Sequence, residues 1–409
     1  MRYMQKKWIF GRLNYMKIAI VTPHIFNPSG IGSMCNDLTS ELIKNGYEVS
    51  IFTFDMLSQY KLNKINKNAK IYIMKNRIIP SINKARKKYN IKRINWLLDK
   101  YYHVLTLFEI FKTMISNLFS ADLIHIHGYT DLTKMGFIAG KILRKPIILH
   151  FHGTDVWYYK KSFFNLYKKI IYNVDKVVCV SECLRDKLLR DTGVKSDVMP
   201  YIVSEFFISQ RGKRSNFLRK KFNADKVLLN VKGLIPIYGH ELLIKSLPDI
   251  LKKYSELKLV LTGEGPLFKE LQELIATLHL EKNVVFAGFK SHEKLVDFYA
   301  ASDIFILASQ LDARPNVILE SLSCGTPVIT TNNPGGIELA GQYSEDVTVI
   351  KEDTPKTLAN AVIKLLDEDR KVKKSTIVSI AEQLNKEVVT QRFMNIYNKI
   401  IKQHKKRAC

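Results

Sequence analysis

Short apolar strands alternate with helical segments along almost the whole chain, and this alternation is the feature that most restricts its fold. A first series of strand-like runs occupies 17–22, 48–54, 70–74, 123–127, 147–152, 177–180 and 198–200. A second series occupies 227–231, 257–262, 284–287, 303–307, 328–330 and 347–350. Strands of a parallel sheet are covered by helices on both faces and therefore appear as short, continuous apolar runs. The pattern predicts an α/β protein with two doubly wound, Rossmann-like parallel sheets that face each other across a cleft.

The polar, basic stretch at 209–225 lies between the two series and marks the expected domain boundary. Met16 directly precedes the first strand, so the residues before it are interpreted as an extension. The segment 385–402 has helical periodicity and is expected to pack back across the domains. The predicted division is an extension at 1–15, an N-terminal domain at 16–207, a C-terminal domain at 208–384, and a C-terminal helix with a basic tail at 385–409.

The charge of the chain is strongly positive. Its 409 residues include 64 Lys and Arg against 38 Asp and Glu, a formal net charge of +26, and residues 1–200 hold 33 of the basic and 14 of the acidic side chains. Such a field attracts an anionic partner, whether nucleic acid, lipid head groups or a phosphorylated substrate. Five cysteines without a Cys-x-x-Cys pair argue against a disulfide framework or a structural zinc site and are typical of a reducing cytosol.

A basic insertion at about 61–119 interrupts the first series. Residues 61–100 contain 13 Lys or Arg and one acid, Asp99, interleaved with aromatic residues and isoleucines. The apolar stretch 104–119 is broken by charged residues and is expected to form an amphipathic helix, because it is too short and too polar to cross a bilayer. Two interpretations stay open: a solvated basic loop, and a patch on anionic lipid, which the interleaved apolar residues favour. No nucleic-acid-binding module is recognisable, so nucleic acid is not an expected partner.

The loops after the first strands carry candidate ligand-binding residues, because ligands bind beyond the carboxyl ends of parallel strands. Gly30 and Gly32 follow the first strand and precede a helix. This spacing lets backbone N–H groups approach an anion or a sugar at the positive end of the helix. Glycines at such turns also occur simply because they permit positive φ, so the motif alone is a weak signal.

Two later strands of the first series end in histidines: His125 and His127, then His150 and His152. His152 precedes a glycine and is the one expected to touch a substrate. His125 and His150, which lie within their strands, are interpreted as packed or hydrogen-bonded core groups. A zinc site is not predicted, because carboxylates at ligand spacing are lacking.

The strongest motif is Ser-Gln-Leu-Asp-Ala-Arg-Pro-Asn-Val-Ile-Leu-Glu-Ser-Leu-Ser-Cys-Gly-Thr-Pro at 309–327. Asp312 follows a strand, Pro315 is suited to begin a helix, and Glu320 lies within that helix. The amides at a helix start can take an anion, and carboxylates can accept hydrogen bonds from vicinal hydroxyls. Two carboxylates at one strand–helix junction therefore indicate a site for a phosphorylated sugar.

These motifs together resemble those of the retaining, nucleotide-sugar-dependent glycosyltransferases of family 4 (group 1), whose fold is called GT-B. The similarity runs from about residue 16 to about residue 402. Asp312 and Glu320 have the spacing of the family's Glu-x7-Glu pattern. The other matches are Ser323-Cys324-Gly325-Thr326-Pro327-Val328, Gly335-Gly336, Gly263-Glu264-Gly265-Pro266, Val180-Ser181, Gly30-Ile31-Gly32 and His152-Gly153-x-Asp155.

The resemblance implies a role for each matched residue. Glu320 would hold the ribose hydroxyls of the donor, Asp312 would reach the hydroxyls of the sugar, and His152 would contact that sugar or its phosphate. The implied catalytic residues are His152, Asp312 and Glu320, and the implied donor-binding residues are Gly30, Gly32, Lys232, Gly265, Arg314, Asn316, Val317 and Glu320. The resemblance implies no obligatory metal and no other cofactor, because preorganised cations of the protein neutralise the departing diphosphate.

The chain departs from the family pattern at those cations. The positions of the family's Arg and Lys are Gly233 and Tyr238 here. Lys232, His240 and Arg314 are the candidate substitutes. Alternation along a strand would direct Lys232 to the opposite face unless the strand ends before it.

The resemblance predicts a hexosyltransferase that moves a sugar from a nucleotide donor to a hydroxyl of a lipid-linked or cell-envelope glycan, as in polysaccharide biosynthesis. The basic first half favours peripheral association with the cytoplasmic face of a membrane. The alternative is a catalytically silent GT-B protein that binds a sugar nucleotide or glycan as the partner of an active transferase. A nucleic-acid binder, or another enzyme on the same fold such as an epimerase or a phosphorylase, is less favoured but stays open, because fold does not determine function.

Overall fold

The computed structural model describes residues 16–23, 25, 30–54, 66–74, 92–157 and 164–408, and at 92–100, 102, 164–166 and 408 it describes the backbone alone. The expected N-terminal extension, residues 27–29 of the glycine loop, and residues 61–65 and 75–91 of the basic insertion therefore lie outside the described residues. Within the described helices, none combines the length and the apolar character that a bilayer-crossing segment needs.

The first series forms a seven-stranded sheet. Its strands are β1 (Lys17–Val21), β2 (Glu48–Phe54), β3 (Lys70–Met74), β4 (Leu123–His127), β5 (Ile147–Phe151), β6 (Lys176–Cys179) and β7 (Asp197–Val198). They lie in the order β3-β2-β1-β4-β5-β6-β7. β1 pairs in parallel with β2 and with β4, and β4 pairs in parallel with β5 so that His127 lies opposite His150.

The helices of this half are α1 (Gly30–Lys44), α2 (Lys92–Leu118), α3 (Asp131–Ile142), α4 (Thr154–Trp157), α5 (Phe164–Tyr172), α6 (Glu182–Thr192) and α7 (Glu205–Ile208). Local signals set the ends of α6. The Ser181 side chain accepts a hydrogen bond from the Leu184 N–H at its start, and Gly193 ends it with φ 79°.

α2 has apolar side chains on two different faces. One face is buried, at Ile110, Met114 and Leu118. The other exposes Tyr101, Val104 and Phe108, each by 60% or more of its surface. Residues three and four positions apart lie on one side of a helix, so these three form an exposed apolar stripe.

The second series forms a six-stranded sheet. Its strands are β8 (Val227–Val231), β9 (Lys258–Thr262), β10 (Val284–Phe286), β11 (Ile304–Leu307), β12 (Val328–Thr330) and β13 (Val347–Val349). They lie in the order β10-β9-β8-β11-β12-β13, with neighbouring strands paired in parallel.

The helices that follow are α8 (Phe217–Phe222), α9 (His240–Leu251), α10 (Phe268–Thr277), α11 (His292–Ala301), α12 (Asn316–Ser323), α13 (Pro334–Gln342), α14 (Pro355–Asp367), α15 (Lys374–Gln383) and α16 (Lys386–Ala408), and a 3-10 turn covers Pro236–Tyr238. Both faces of the second sheet are buried beneath helices. Leu228 and Ile306 belong to one hydrophobic cluster, and Leu229 and Phe305 belong to the other. Neighbouring residues of one strand point to opposite faces, so two separate cores are the expected result of covering both sides. The prediction of two doubly wound parallel sheets is confirmed.

The chain divides into two compact units. The first unit extends to Phe151, includes the segment that ends at Val178, and includes the C-terminal helix from Arg392 onward. The second unit comprises Cys179–Gln391 together with the short segment that begins at His152. The domain boundaries expected from the sequence stay predictions.

Candidate active site

The switch point of the second sheet lies between β8 and β11, because β9 and β10 extend beyond β8 on one side and β12 and β13 extend beyond β11 on the other. Ligands of doubly wound sheets bind at the carboxyl ends of strands at this point. Lys232 directly follows β8, and Asp312 lies in the loop between β11 and α12. The topology therefore brings together two residues that are 80 positions apart in the sequence.

Lys232 and Asp312 form an ion pair in which Nζ lies 2.8 Å from Oδ2, and both side chains are 15% exposed. Nζ also lies 4.8 Å from the ring centroid of Tyr238. Burial disfavours the ammonium charge of Lys232, but Asp312, Tyr238 and Glu320 together outweigh this effect and raise the pKa of Lys232. β8 ends at Val231, so the alternation of a strand does not fix the direction of the Lys232 side chain.

Glu320 lies in the second turn of α12 and is only 7% exposed. The hydroxyl of Tyr299, on α11, donates a hydrogen bond of 3.0 Å to its Oε2. Burial raises the pKa of Glu320, although His292, the Tyr299 hydrogen bond and the charge of Lys232 oppose this shift. A carboxylate held in this way has its direction fixed by a buried neighbour and is suited to accept hydrogen bonds from hydroxyl groups.

The first turn of α12 supplies backbone donors beside Asp312. Pro315 is the N-cap residue, and no side chain caps the helix. The amides of Asn316 and Val317 therefore have no partner within the helix, and the helix start carries partial positive charge. Nδ2 of Asn316 donates to the carbonyl of Ile202 at 3.3 Å, and Oδ1 of Asn316 has no hydrogen-bond partner among the described residues.

Arg314 belongs to a buried ion pair, with Nη1 3.3 Å from Oε1 of Glu338. Glu338 also accepts hydrogen bonds from the backbone N–H groups of Glu182, at 3.2 Å, and Cys183, at 2.8 Å, at the start of α6. Within the described part of the chain, Nε of Arg314 has no hydrogen-bond partner. Glu338, on α13, thus links Arg314 to the start of α6.

The loops that follow β8 and β9 touch through their backbones. A Cβ at Gly263, where φ is +133°, would lie 2.1 Å from the carbonyl oxygen of Lys232. A Cβ at Gly265 would lie 2.4 Å from the carbonyl oxygen of Leu234, whose N–H donates to the carbonyl of Glu264 at 3.0 Å. Gly265 therefore has a packing role, in addition to the donor-binding role that the resemblance implies.

His152 lies in a turn that Asp155 closes. The His152 N–H donates to Oδ2 of Asp155 at 3.0 Å, and the Gly153 N–H donates to Oδ1 at 2.7 Å. Burial raises the pKa of Asp155 to about 6, although its backbone hydrogen bonds oppose the shift. The imidazole is held as well, because Nδ1 of His152 lies 2.9 Å from the hydroxyl of Tyr201.

The His152 turn packs against the loop that carries Asp312. A Cβ at Gly153, where φ is +140°, would lie 3.0 Å from Cβ of Ala313. Any larger residue at Gly153 would push the two loops apart. The three residues assigned a catalytic role are thus all located in the second compact unit.

The remaining candidates lie elsewhere or are uncharged. Gly30 and Gly32 form the first turn of α1 in the first unit, where Gly30 is exposed and Gly32 is buried. His240 is buried at the start of α9, and burial lowers its pKa to about 4. It is neutral near pH 7, which leaves Lys232 and Arg314 as the charged candidates, and Arg314 is paired with Glu338.

Tyr201, Tyr299 and Glu338 were missed by reasoning from the sequence. Each holds one of the predicted residues through a side-chain contact between distant segments. Tyr299 lies 21 positions before Glu320, and Tyr201 lies 49 positions after His152. No local spacing rule connects such pairs, and for the two tyrosines the signal in the sequence is an aromatic residue in an otherwise apolar segment.

Two family models match the chain and together cover most of it. Residues 28–202 match the model described as Glycosyltransferase Family 4, and residues 214–380 match the one described as Glycosyl transferases group 1. These ranges correspond to the two series of alternating strands and helices.

Individual proteins match over shorter or longer stretches. An alpha-monoglucosyldiacylglycerol synthase of Streptococcus pneumoniae is 27% identical over 338 residues, which is 78% of this chain and 72% of that protein. A GPI3 subunit of phosphatidylinositol N-acetylglucosaminyltransferase from Saccharomyces cerevisiae is 30% identical over 206 residues, 49% of this chain and 43% of its own length. The crystal structure of Anabaena Alr3699/HepE in complex with UDP and glucose superimposes with a TM-score of 0.74 at 18% identity and covers 94% of this chain and 100% of that one.

Proposed function

The chain belongs to the family 4, group 1 glycosyltransferases, which use nucleotide-sugar donors, and we propose that it transfers a hexose to a hydroxyl of a lipid-linked or cell-envelope glycan with retention of anomeric configuration. The observation that carries this proposal is the grouping at the second switch point: Lys232, Asp312, Glu320 and the uncapped start of α12. It combines donors for an anion with acceptors for hydroxyl groups.

Lys232 and the α12 amides are proposed to bind the diphosphate of the donor. When the bond between the sugar and the diphosphate breaks, the electron pair stays with the phosphate oxygen, and negative charge increases there. A cation that is already in place stabilises this charge without the cost of reorganising water. Lys232 is charged in the structure, and Tyr238 and Asp312 hold its position.

Glu320 and Asp312 are proposed to bind hydroxyl groups of the donor. The Glu320 carboxylate, held by Tyr299, would accept hydrogen bonds from the ribose hydroxyls. Asp312 would release Lys232 and accept hydrogen bonds from hydroxyls of the transferred sugar instead. His152, whose Nδ1 is held by Tyr201, would contact the same sugar or its phosphate.

The proposed acceptor is attached to a membrane lipid. The first 200 residues carry most of the excess positive charge, which attracts anionic head groups. The relative from Streptococcus pneumoniae is named for the synthesis of a glycolipid, alpha-monoglucosyldiacylglycerol. Both facts support a lipid-linked acceptor.

Peripheral binding at the cytoplasmic face of a membrane is part of this proposal. The exposed stripe of Tyr101, Val104 and Phe108 on α2 provides side chains that can enter the interface between head groups and acyl chains. The basic residues at 75–91, which would bind the head groups, lie outside the described residues.

The test is a transfer assay with purified protein, radiolabelled UDP-, GDP- and ADP-sugars, and a membrane lipid extract as acceptor. We expect labelled lipid with one donor class, and we expect Glu320→Gln to abolish most of the product while the thermal melt changes little. A thermal shift with a nucleotide but no transfer to lipid or soluble glycan, and no donor hydrolysis, would instead support the silent binding protein.

A further inference from the structure

The first compact unit contains three histidines that the proposed transferase does not use: His125 and His127 on β4 and His150 on β5. The two residues on β4 are two positions apart and share one face of the sheet. His150 lies directly opposite His127 on the neighbouring strand. Strand register therefore brings the three imidazoles together, and all three are fully buried.

The ring nitrogens are close enough to form a ligand set. One nitrogen from each histidine lies within 4.8 Å of the others. The ring centroids are 4.1 Å apart for His125 and His127, and 5.2 Å apart for His127 and His150. A zinc ion bound by three nitrogens at about 2.0–2.1 Å needs nitrogens about 3.3 Å apart, so side-chain rotations must shorten the nitrogen–nitrogen distances by up to about 1.5 Å.

The hydrogen bonding of His125 also suits a metal ligand. His125 places Nδ1 2.8 Å from the hydroxyl of Tyr397, and its Nε2 has no hydrogen-bond partner among the described residues. When the Nδ1–H donates to Tyr397, the lone pair remains on the buried Nε2. A hydrogen bond at the second nitrogen is the usual way in which a protein fixes the tautomer of a metal-binding histidine.

We infer that His125, His127 and His150 form a binding site for a transition-metal ion that prefers imidazole nitrogen, of the class of Zn²⁺ or Co²⁺. Three histidines with an open fourth position are an established ligand set for zinc. No Asp, Glu or Cys joins the cluster among the described residues. Water or hydroxide at the fourth position would supply the oxygen ligand and would offset part of the charge of the ion. The C-terminal helix covers the site through Phe393 and Tyr397, so the ion would anchor this helix to the sheet.

The experiment is a Co²⁺ titration of the full chain, purified without a histidine tag and treated with a chelator. We expect about one Co²⁺ per chain, visible absorption bands typical of nitrogen-bound tetrahedral cobalt, and displacement by Zn²⁺. His127→Asn and His150→Asn should each lower the affinity about tenfold or more. His103→Asn, a change at an exposed histidine of α2, is the matched control and should leave binding unchanged.

Two results would overturn the inference: uptake below about a tenth of an equivalent by folded wild-type protein, or equal uptake by His127→Asn. If the histidine variants fail to fold, X-ray absorption of the wild-type Co²⁺ complex decides, because it counts the imidazole ligands directly. Fewer than three imidazoles around the ion would reject the site. None of these readouts depends on transferase activity, so the outcome is separate from that of the proposed function.

Discussion

Nζ of Lys232 lies 2.8 Å from Oδ2 of Asp312 across the switch point of the second sheet. The two groups that are proposed to bind opposite ends of a sugar phosphate therefore pair with each other in this structure. Neither is left as an unpaired buried charge, which would be costly. If Lys232 binds the diphosphate and Asp312 binds a sugar hydroxyl, as proposed, the intact donor replaces both halves of the pair, whereas either fragment replaces only one.

Replacing Lys232 by Met should lower kcat about 10²–10³-fold, because the variant loses the charge that stabilises the leaving diphosphate. Steady-state transfer assays with the donor that the nucleotide-sugar panel identifies measure this effect. Lys245→Met is the matched control, since Lys245 lies on the surface and pairs with Glu241 one turn away. Full activity of the Lys232 variant would show that another group neutralises the diphosphate.

Replacing Tyr299 by Phe should raise the donor KM about tenfold and change kcat less. The hydroxyl holds Glu320, and hydrogen bonds to charged groups contribute about 1.5–3 kcal/mol. Tyr254→Phe removes a similar hydrogen bond, to Asp367 at the surface, and should leave both constants unchanged. An unaltered donor KM in the Tyr299 variant, with a normal melt, would mean that Glu320 does not bind the donor.

The raised pKa of Asp155, about 6 in the folded protein against 3.8 as its ordinary value, predicts a pH effect on stability. Between pH 4 and 6 the folded chain binds more protons at this group than the unfolded chain does, so its contribution to the free energy of unfolding falls as pH rises through this window. Asp155→Asn should remove this part of the dependence of the free energy of unfolding on pH, measured by urea unfolding at a series of pH values.

Asp249→Asn is the comparison for this measurement. Asp249 is exposed, and its hydrogen bond with Lys252 lowers its pKa, so the fall between pH 4 and 6 should persist in this variant. If Asp155→Asn shows the wild-type slope, another group is responsible for the pH dependence.

Gly265→Ala should lower the free energy of unfolding by about 1–3 kcal/mol, because the added methyl meets the carbonyl of Leu234. Gly341→Ala offers the opposite case, since nothing lies within 4 Å of its Cβ position near the end of α13. Alanine there should be neutral or stabilise by up to about 1 kcal/mol. Chemical denaturation of both variants measures the contrast, and equal values would argue against the close contact of the two loops.

Replacing the stripe on α2, with Tyr101, Val104 and Phe108 all changed to Ser, should weaken binding to vesicles that contain anionic lipid by about tenfold or more. Ile337 and Val378 are exposed apolar residues of the second unit, and changing both to Ser provides the control. Vesicle co-sedimentation at two salt concentrations separates the apolar from the electrostatic contribution. Unchanged binding of the stripe variant would remove α2 from the membrane-binding surface.

The strands and the positions of the site loops could be predicted because they depend on local patterns. The boundaries of β8, at 227–231, and β12, at 328–330, agree with the prediction to the residue. The start of α12 after Pro315 follows from the fixed φ of proline. Such features can be predicted from the order of apolar, glycine and proline residues alone.

The contacts of the site could not be predicted in the same way. Lys232 lies just beyond the end of β8 at Val231, where the alternation of a strand no longer fixes the direction of a side chain, so its contact with Asp312 did not follow from the pattern. Arg314 was a candidate cation for the diphosphate, and only the folded chain reveals its pairing with Glu338. Side-chain partners that are 24 or 80 positions apart are set by packing, which a linear pattern does not contain.

The contact between Gly153 and Ala313 has a further consequence for how variants of this chain should be interpreted. His152 directly follows a strand of the first sheet, yet it belongs to the second compact unit, which also contains Asp312 and Glu320. A chimaera of two relatives joined at 207 would take His152 from one parent and Asp312 and Glu320 from the other. Exchanges that keep the segment from His152 together with residues 179–391 take Gly153 and Ala313 from the same parent, whereas exchanges cut at 207 take them from different parents.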